Sequence, residues 1–250
     1  MATPAISSSE PGAAAPTGAL SRVFGVFFSP KATFESIAAR PTWIVPVVLI
    51  CLMQLAVVSV FSRRVGWRSM IEKQDANNSR MQEMPPAQLE RTVQLQVKYA
   101  PVAGYFFAAV GPFLGVAVVG GILLGLFNGI TGARMELKGA LGVVSHAWMP
   151  GLIAGLLAVV VLFLEDPSSV DLQNLVASNP GVLLSDSSPR WLVSLLGSID
   201  LFSFWTMFLM AVGFHAASPK KISFGKALGV ILFAWACYVV VKVGFAAAFS

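Results

Sequence analysis

Charge is scarce in this chain of 250 residues. Asp, Glu, Lys and Arg together make up 12%, against about 25% in a typical soluble domain. A surface that poor in charge cannot stay in water, so lipid must replace water around much of it. Histidine and cysteine are nearly absent, with two of each. Cys51 and Cys237 both sit inside apolar runs, which argues against a disulfide framework. Two scattered histidines with no cysteine nearby make a poor zinc site, and HExxH, P-loop and GxSxG patterns are all missing. The sequence therefore predicts a non-enzyme with no catalytic set, no metal site and no cofactor. The opening residues 1–19 hold no basic residue and no apolar run. They read as a disordered tail without a cleavable secretory signal.

What is abundant is apolar sequence, at 56%. It falls into five runs, over about 43–61, 101–127, 140–164, 191–214 and 224–249. A helix needs about 20 residues to cross the hydrocarbon. Backbone polar groups cannot be left open there, so the runs must be helices. The expected class is all-α: a polytopic membrane protein with five transmembrane helices and an N-terminal interfacial amphipathic helix. The interfacial part is 20–41, where Leu20, Val23, Phe24, Phe27 and Phe28 recur at helical spacing among Arg22, Lys31 and Arg40. A helix packed on the bundle's own end is the other reading of that segment. Ser29-Pro30 has the form of an N-cap followed by Pro at the first helical position.

The net charge of +5 does not point to nucleic acid, because the basic residues lie in short blocks between spans, where topology and anionic lipid account for them. Arg134, Lys138, Lys220, Lys221 and Lys226 mark two connections as cytoplasmic. The connection 165–190 carries four acids and only Arg190, which places it outside and the N-terminus inside. Segment 62–98 argues the other way with seven basic residues. It reads either as a cap docked on the outer face or as a solvated amphipathic linker.

Gly111 and Gly115, then Gly121, Gly125 and Gly129, repeat every four residues in the second span, and Gly151 and Gly155 repeat the spacing in the third. Small residues let helices approach in lipid. These glycines are expected to pack within the bundle, with a dimerisation face as the alternative. Asp200 and Lys242 interrupt the fourth and fifth runs. A mid-span charge costs roughly 2.5–3.5 kcal/mol, and both residues fall at similar depth in antiparallel neighbours. They are expected to form an intramembrane ion pair, with His146 as a possible polar partner. A proton or ion relay through the three is the competing functional reading. His215 suits the negative end of its helix dipole.

Three stretches are then similar to a known family. They are SPKATFESIAARPTWIVP, with Pro30, Phe34, Ile37, Pro41 and Trp43; SIDLFSFWTMFLMAVGF, with Asp200, Phe202, Trp205 and Gly213; and KKISFGKALGVILFAWACYVVVKVG, with Lys221, Phe224, Gly225, Lys226, Tyr238 and Lys242. The chain resembles the bacterial branch of the Yip domain family, named for Ypt/Rab-interacting proteins, from about Val23 onward. The resemblance implies a five-span membrane domain with a cytoplasmic amino-terminal region. Eukaryotic relatives act in vesicle trafficking with links to Rab GTPases and membrane shaping. The short amino-terminal part here gives no ground for carrying Rab binding over. Implied partners are the bilayer and a membrane-protein partner or second copy.

Overall fold

The computed structural model describes residues 18–76, 79–167, 170, 174–185 and 188–248. The expected tail lies almost wholly outside these residues. Eleven α-helices occur among the described residues: α1 Ala19–Phe28, α2 Pro30–Ala39, α3 Ile44–Arg64, α4 Trp67–Ala76, α5 Ser79–Gln82, α6 Pro86–Thr131, α7 Leu137–Ala147, α8 Pro150–Leu164, α9 Arg190–Leu196, α10 Leu201–Ala217 and α11 Phe224–Ala248. Four stretches are long and apolar enough to cross a membrane: α3, α6, α7 with α8, and α11. The pair α9 and α10, bent by 48°, makes a fifth.

Two of the expected spans are broken. The third divides at Trp148-Met149, where Pro150 starts α8 without needing a donor. The fourth divides at 197–200, where Asp200 caps α10. Helix α6 has 46 residues, about 69 Å at 1.5 Å each, which is more than twice the roughly 30 Å of hydrocarbon. Its polar first part therefore projects beyond the membrane, and α4 docks on it. Arg68 bridges Glu72 at 2.7 Å and Glu90 at 3.2 Å. Trp67 lies so close to α6 that a Cβ on Gly104 would meet its ring at 2.2 Å. Arg64 donates to the carbonyls of Leu162 and Phe163, the last of α8, where a cation suits the helix end. Segment 62–98 is thus a docked cap, not a free linker.

The opposite end of the bundle, called here the amino-terminal face, holds the tightest packing. Phe34 and Ile37 of α2 are fully buried against α7 and α10. Phe127 of α6 stacks on Phe214 of α10 at 4.4 Å. Asn128 closes the α6–α7 connection by donating to the Met135 carbonyl and accepting from the Met135 amide. His215 Nδ1 donates to the Ile222 carbonyl at 2.7 Å and closes the α10–α11 connection, a link across a loop that goes beyond a dipole contact.

The segment expected to lie in the headgroup plane has two characters. Helix α2 belongs to the core. Helix α1 turns Leu20, Phe24 and Phe28 outward, with Phe28 84% exposed. Its charge points the other way: Arg22 is buried and donates to the Arg40 carbonyl at 2.8 Å and to Thr42 at 3.1 Å. The guanidinium fastens α1 to the α2–α3 joint, which leaves the apolar side of α1 outermost. Ser29 stands at the N-cap position of α2 but makes no capping bond with its side chain.

Candidate functional site

The site begins with small residues. Gly151, Ala154, Gly155 and Ala158 follow at spacings of three and four along α8, so they share one side of that helix. At Gly155 the close neighbour is Met53, whose Cγ would lie 2.5 Å from an added Cβ. At Gly151 an added Cβ meets nothing within 4 Å. Between this shallow face of α8 and the facing sides of α3, α6, α10 and α11 lies a cavity of about 1000 Å³. That is the upper end of the range for ligand pockets.

The walls are mostly aliphatic or aromatic, as at Val57, Ile122, Phe202 and Trp235. Gln54, Ser203, Thr206 and Tyr238 add the few polar side chains, and Asp200 is the single carboxylate at the rim among the described residues. Leu123, Met210 and Ile231 form the deep end and are buried. Just beyond them the Phe127–Phe214 stack seals the amino-terminal face. The cavity is therefore closed toward that face and reaches the α9 end of the bundle.

Asp200 is a helix cap. Its carboxylate accepts from the Ser203 amide at 2.9 Å, from the Ser203 hydroxyl at 3.2 Å, and from the Ser178 hydroxyl. The amide of Leu201 also donates to the Ser178 carbonyl. A negative charge at a helix N-terminus meets orphan N–H groups and the positive end of the dipole. Lys242 donates to the Ser198 hydroxyl at 3.0 Å and to the Ser194 carbonyl at 3.4 Å. The expected direct Asp200–Lys242 ion pair is thus not formed, and each side chain is held by serines and backbone instead.

The break in the fourth span explains this. Helix α10 has 17 residues, about 26 Å at 1.5 Å each, so it alone crosses most of the hydrocarbon. Asp200 then stands near the far polar boundary instead of mid-membrane. Lys242 lies roughly 27 Å along α11 from Phe224 by the same rise. The cost of a mid-membrane charge, which called for a direct pair, therefore does not arise. His146 is elsewhere. It is fully buried in α7, with Nδ1 donating to the Gly142 carbonyl at 2.8 Å and Nε2 unpartnered among the described residues. It does not line the cavity, so the three groups form no chain.

Most of the motif residues are packing residues. Gly213 lets α10 approach α2 and α7: an added Cβ would stand 2.5 Å from Val143 and 2.9 Å from Phe34. At Gly142 an added Cβ would stand 3.2 Å from Ile37 and 3.3 Å from the Thr42 carbonyl, with Pro41 at ordinary contact distance. Trp43 meets Phe113 edge-on, Trp205 meets Phe27, and Phe224 meets Phe208. Pro30 opens α2, Ser223 receives the Lys226 amide at the start of α11, and Phe202 faces the cavity. Gly225 has open space around it. Of Gly111, Gly115, Gly121, Gly125 and Gly129, only Gly115 packs closely, against Trp148 at 2.7 Å. Gly111, Gly121, Gly125 and Gly129 have nothing within 4 Å, so the expected internal packing face is mostly an open face. The close approach is made by Gly120, beside Leu141.

The serines around Asp200 and the alanines of the α8 face, Ala154 and Ala158, were not singled out in the sequence, whereas Gly151 and Gly155 were. Both left a signal: Gly197 before an Asp three residues ahead of Ser203 is a stop followed by a cap, and the α8 pattern is another four-residue repeat.

Fold and site together define a multi-pass helical membrane protein with an apolar interior cavity. The Yip1 domain model matches residues 24–245, and the chain belongs to that family. It is also similar to "Membrane protein YknW" of Bacillus subtilis (strain 168), with 23% identity over 211 residues and 84% of each chain covered. No solved structure matches it.

Proposed function

We propose that this Yip1-family protein is a non-enzymatic organiser of membrane lipid or partner proteins. On this reading it sits in a bacterial cytoplasmic membrane with its amino terminus on the cytoplasmic side. The basic connections at the amino-terminal face, with Arg134, Lys138, Lys220 and Lys221, support that orientation. One observation carries the role. The large interior cavity is apolar, and Asp200, its one carboxylate among the described residues, is already engaged as the cap of α10. Such a cavity suits hydrocarbon better than a hydrated solute.

A second reading is a small-solute or ion transporter. It is favoured by the break in the fourth span beside the cavity, since transporters often bind substrate where a helix is interrupted. Reconstitution of the full chain into sealed vesicles separates the two. An organiser gives proton, cation and solute flux no greater than empty vesicles. Flux that Asp200→Asn abolishes would establish the transporter and remove the organiser.

A further inference from the structure

The cavity has the dimensions of one leaflet. From Asp200 at the rim to Met210 at the deep end, α10 runs about 15 Å. That is half of the roughly 30 Å hydrocarbon core. The rim stands near the polar boundary, as the length of α10 requires, and the deep end stands near mid-membrane, where the Phe127–Phe214 layer begins. A void lined by apolar atoms forfeits dispersion contacts on every wall. Around this chain the medium able to restore them is lipid hydrocarbon. The cavity opens to lipid beside α6 and α11, where the lining residues Val118, Ile122 and Tyr238 are exposed.

The rim supplies the second observation. Asp200 and Lys242 share a depth there, yet each is bonded to serines and backbone, and neither has an opposite charge within ion-pair distance among the described residues. Tyr238, one turn before Lys242, lines the cavity, and Ser198, which Lys242 holds, lies two residues from Asp200. Asp200 at the rim and Lys242, one turn beyond the lining Tyr238, hold an anionic and a cationic group apart, which matches a headgroup with both charges.

We propose that the cavity holds the acyl chains of one zwitterionic aminophospholipid from the leaflet on the α9 side. Its ammonium is directed to Asp200 and its phosphate to Lys242. The proposal deepens the organising role by naming what is held. Free phosphate lacks the chains, a diacylglycerol lacks both charges, and an anionic phospholipid meets the Asp200 carboxylate without an ammonium to offer.

Native mass spectrometry of the full chain, purified in mild detergent, tests this with three probes sharing the same acyl chains: phosphatidylethanolamine, phosphatidylglycerol and diacylglycerol. The expected result is one phosphatidylethanolamine per chain, held about tenfold more tightly than phosphatidylglycerol, the ratio that one charged hydrogen bond supports. Asp200→Asn keeps a good N-cap and should remove that tenfold preference. Lys242→Gln should weaken both phospholipids and leave diacylglycerol unchanged. Ala154→Phe, which puts a ring into the cavity, should abolish the single tight site. Equal, graded adducts of all three lipids on the natural chain would overturn the site, and that readout needs no variant to fold. So would an undiminished tight lipid in folded Ala154→Phe. Absence of a tight lipid together with absence of flux overturns the site and leaves the organising role standing. Flux that depends on Asp200 overturns the role itself.

Discussion

Gly213→Ala is the sharpest test of the way the amino-terminal face is built. One methyl group is added where α10 meets α2 and α7. It would lie 2.5 Å from Val143 Cγ1, 2.9 Å from Phe34 Cδ1 and 3.0 Å from Phe34 Cε1. Ordinary contact starts at 3.4 Å, so Val143 must retreat by roughly 1 Å. Neither neighbour has room, because Phe34 and Val143 are both fully buried. Overpacking of a filled core costs about 1–3 kcal/mol, while Gly to Ala in a helix returns up to about 1 kcal/mol. The net expectation is a loss of up to about 2 kcal/mol. Urea unfolding of the full chain in detergent, followed by circular dichroism, reads it. The double variant Gly213→Ala with Val143→Ala removes the nearest obstacle. It should be more stable than the two single changes would give by addition, with a coupling of about 0.5 kcal/mol or more, as expected for residues in contact. A Gly213→Ala chain as stable as the natural one would refute the close approach of α10 to α2 and α7, and strict additivity in the double variant would refute its approach to α7 in particular.

The second-span glycines give a contrast within one helix: Gly115→Leu runs into Trp148 and should lower the thermal midpoint, whereas Gly121→Leu meets open space and should leave it unchanged or raise it through better helix propensity. His215→Ala removes the bond to the Ile222 carbonyl and should cost about 0.5–1.5 kcal/mol in the same urea unfolding. The cap outside the membrane should respond to acid. Hydrogen bonds from Gln94 and then Arg68, with the Arg68 charge, hold the Glu90 carboxyl below its usual range. A carboxyl lowered by folding stabilises above its unfolded value, near 4.3, and that contribution is lost as pH falls through the lower folded value. Spin labels on α4 and α6 should therefore keep a fixed distance at neutral pH and spread only in that acidic window.

The membrane class was legible because it depends on length and composition alone. Runs such as 101–127 have no charge, and nothing but a helix satisfies their backbone in lipid. The end of the bundle was harder to read for a local reason. Helix α2 contains Lys31, Glu35 and Arg40 nearby, so its mean character is that of a surface helix, yet Phe34 and Ile37 on one side are fully buried. Burial of that side depends on Gly213 and Gly142, which are remote in sequence and offer the space. Arg22 misleads in the same way. A lone Arg among phenylalanines suggests a headgroup contact, but the free carbonyl of Arg40 at the end of α2 gives it an internal partner.

Asp200 shows how one break reorders the chemistry around it. Read as part of a continuous run from Trp191, the carboxylate is a mid-membrane charge that demands a counter-ion. Read as the cap of a new helix starting at Leu201, it is a polar-boundary residue with three hydrogen bonds of its own. The same break removes the need for Lys242 to approach it, and so leaves two opposite charges at one rim, each held by serines. It also shortens the fourth span to α10, which lines the cavity together with Gly151, Ala154, Gly155 and Ala158 of α8. Larger residues on that face of α8 would close the gap. Small ones leave a cavity one leaflet deep beneath a rim bearing both charges. The cavity and the separated charges thus follow from the break and the small face acting together.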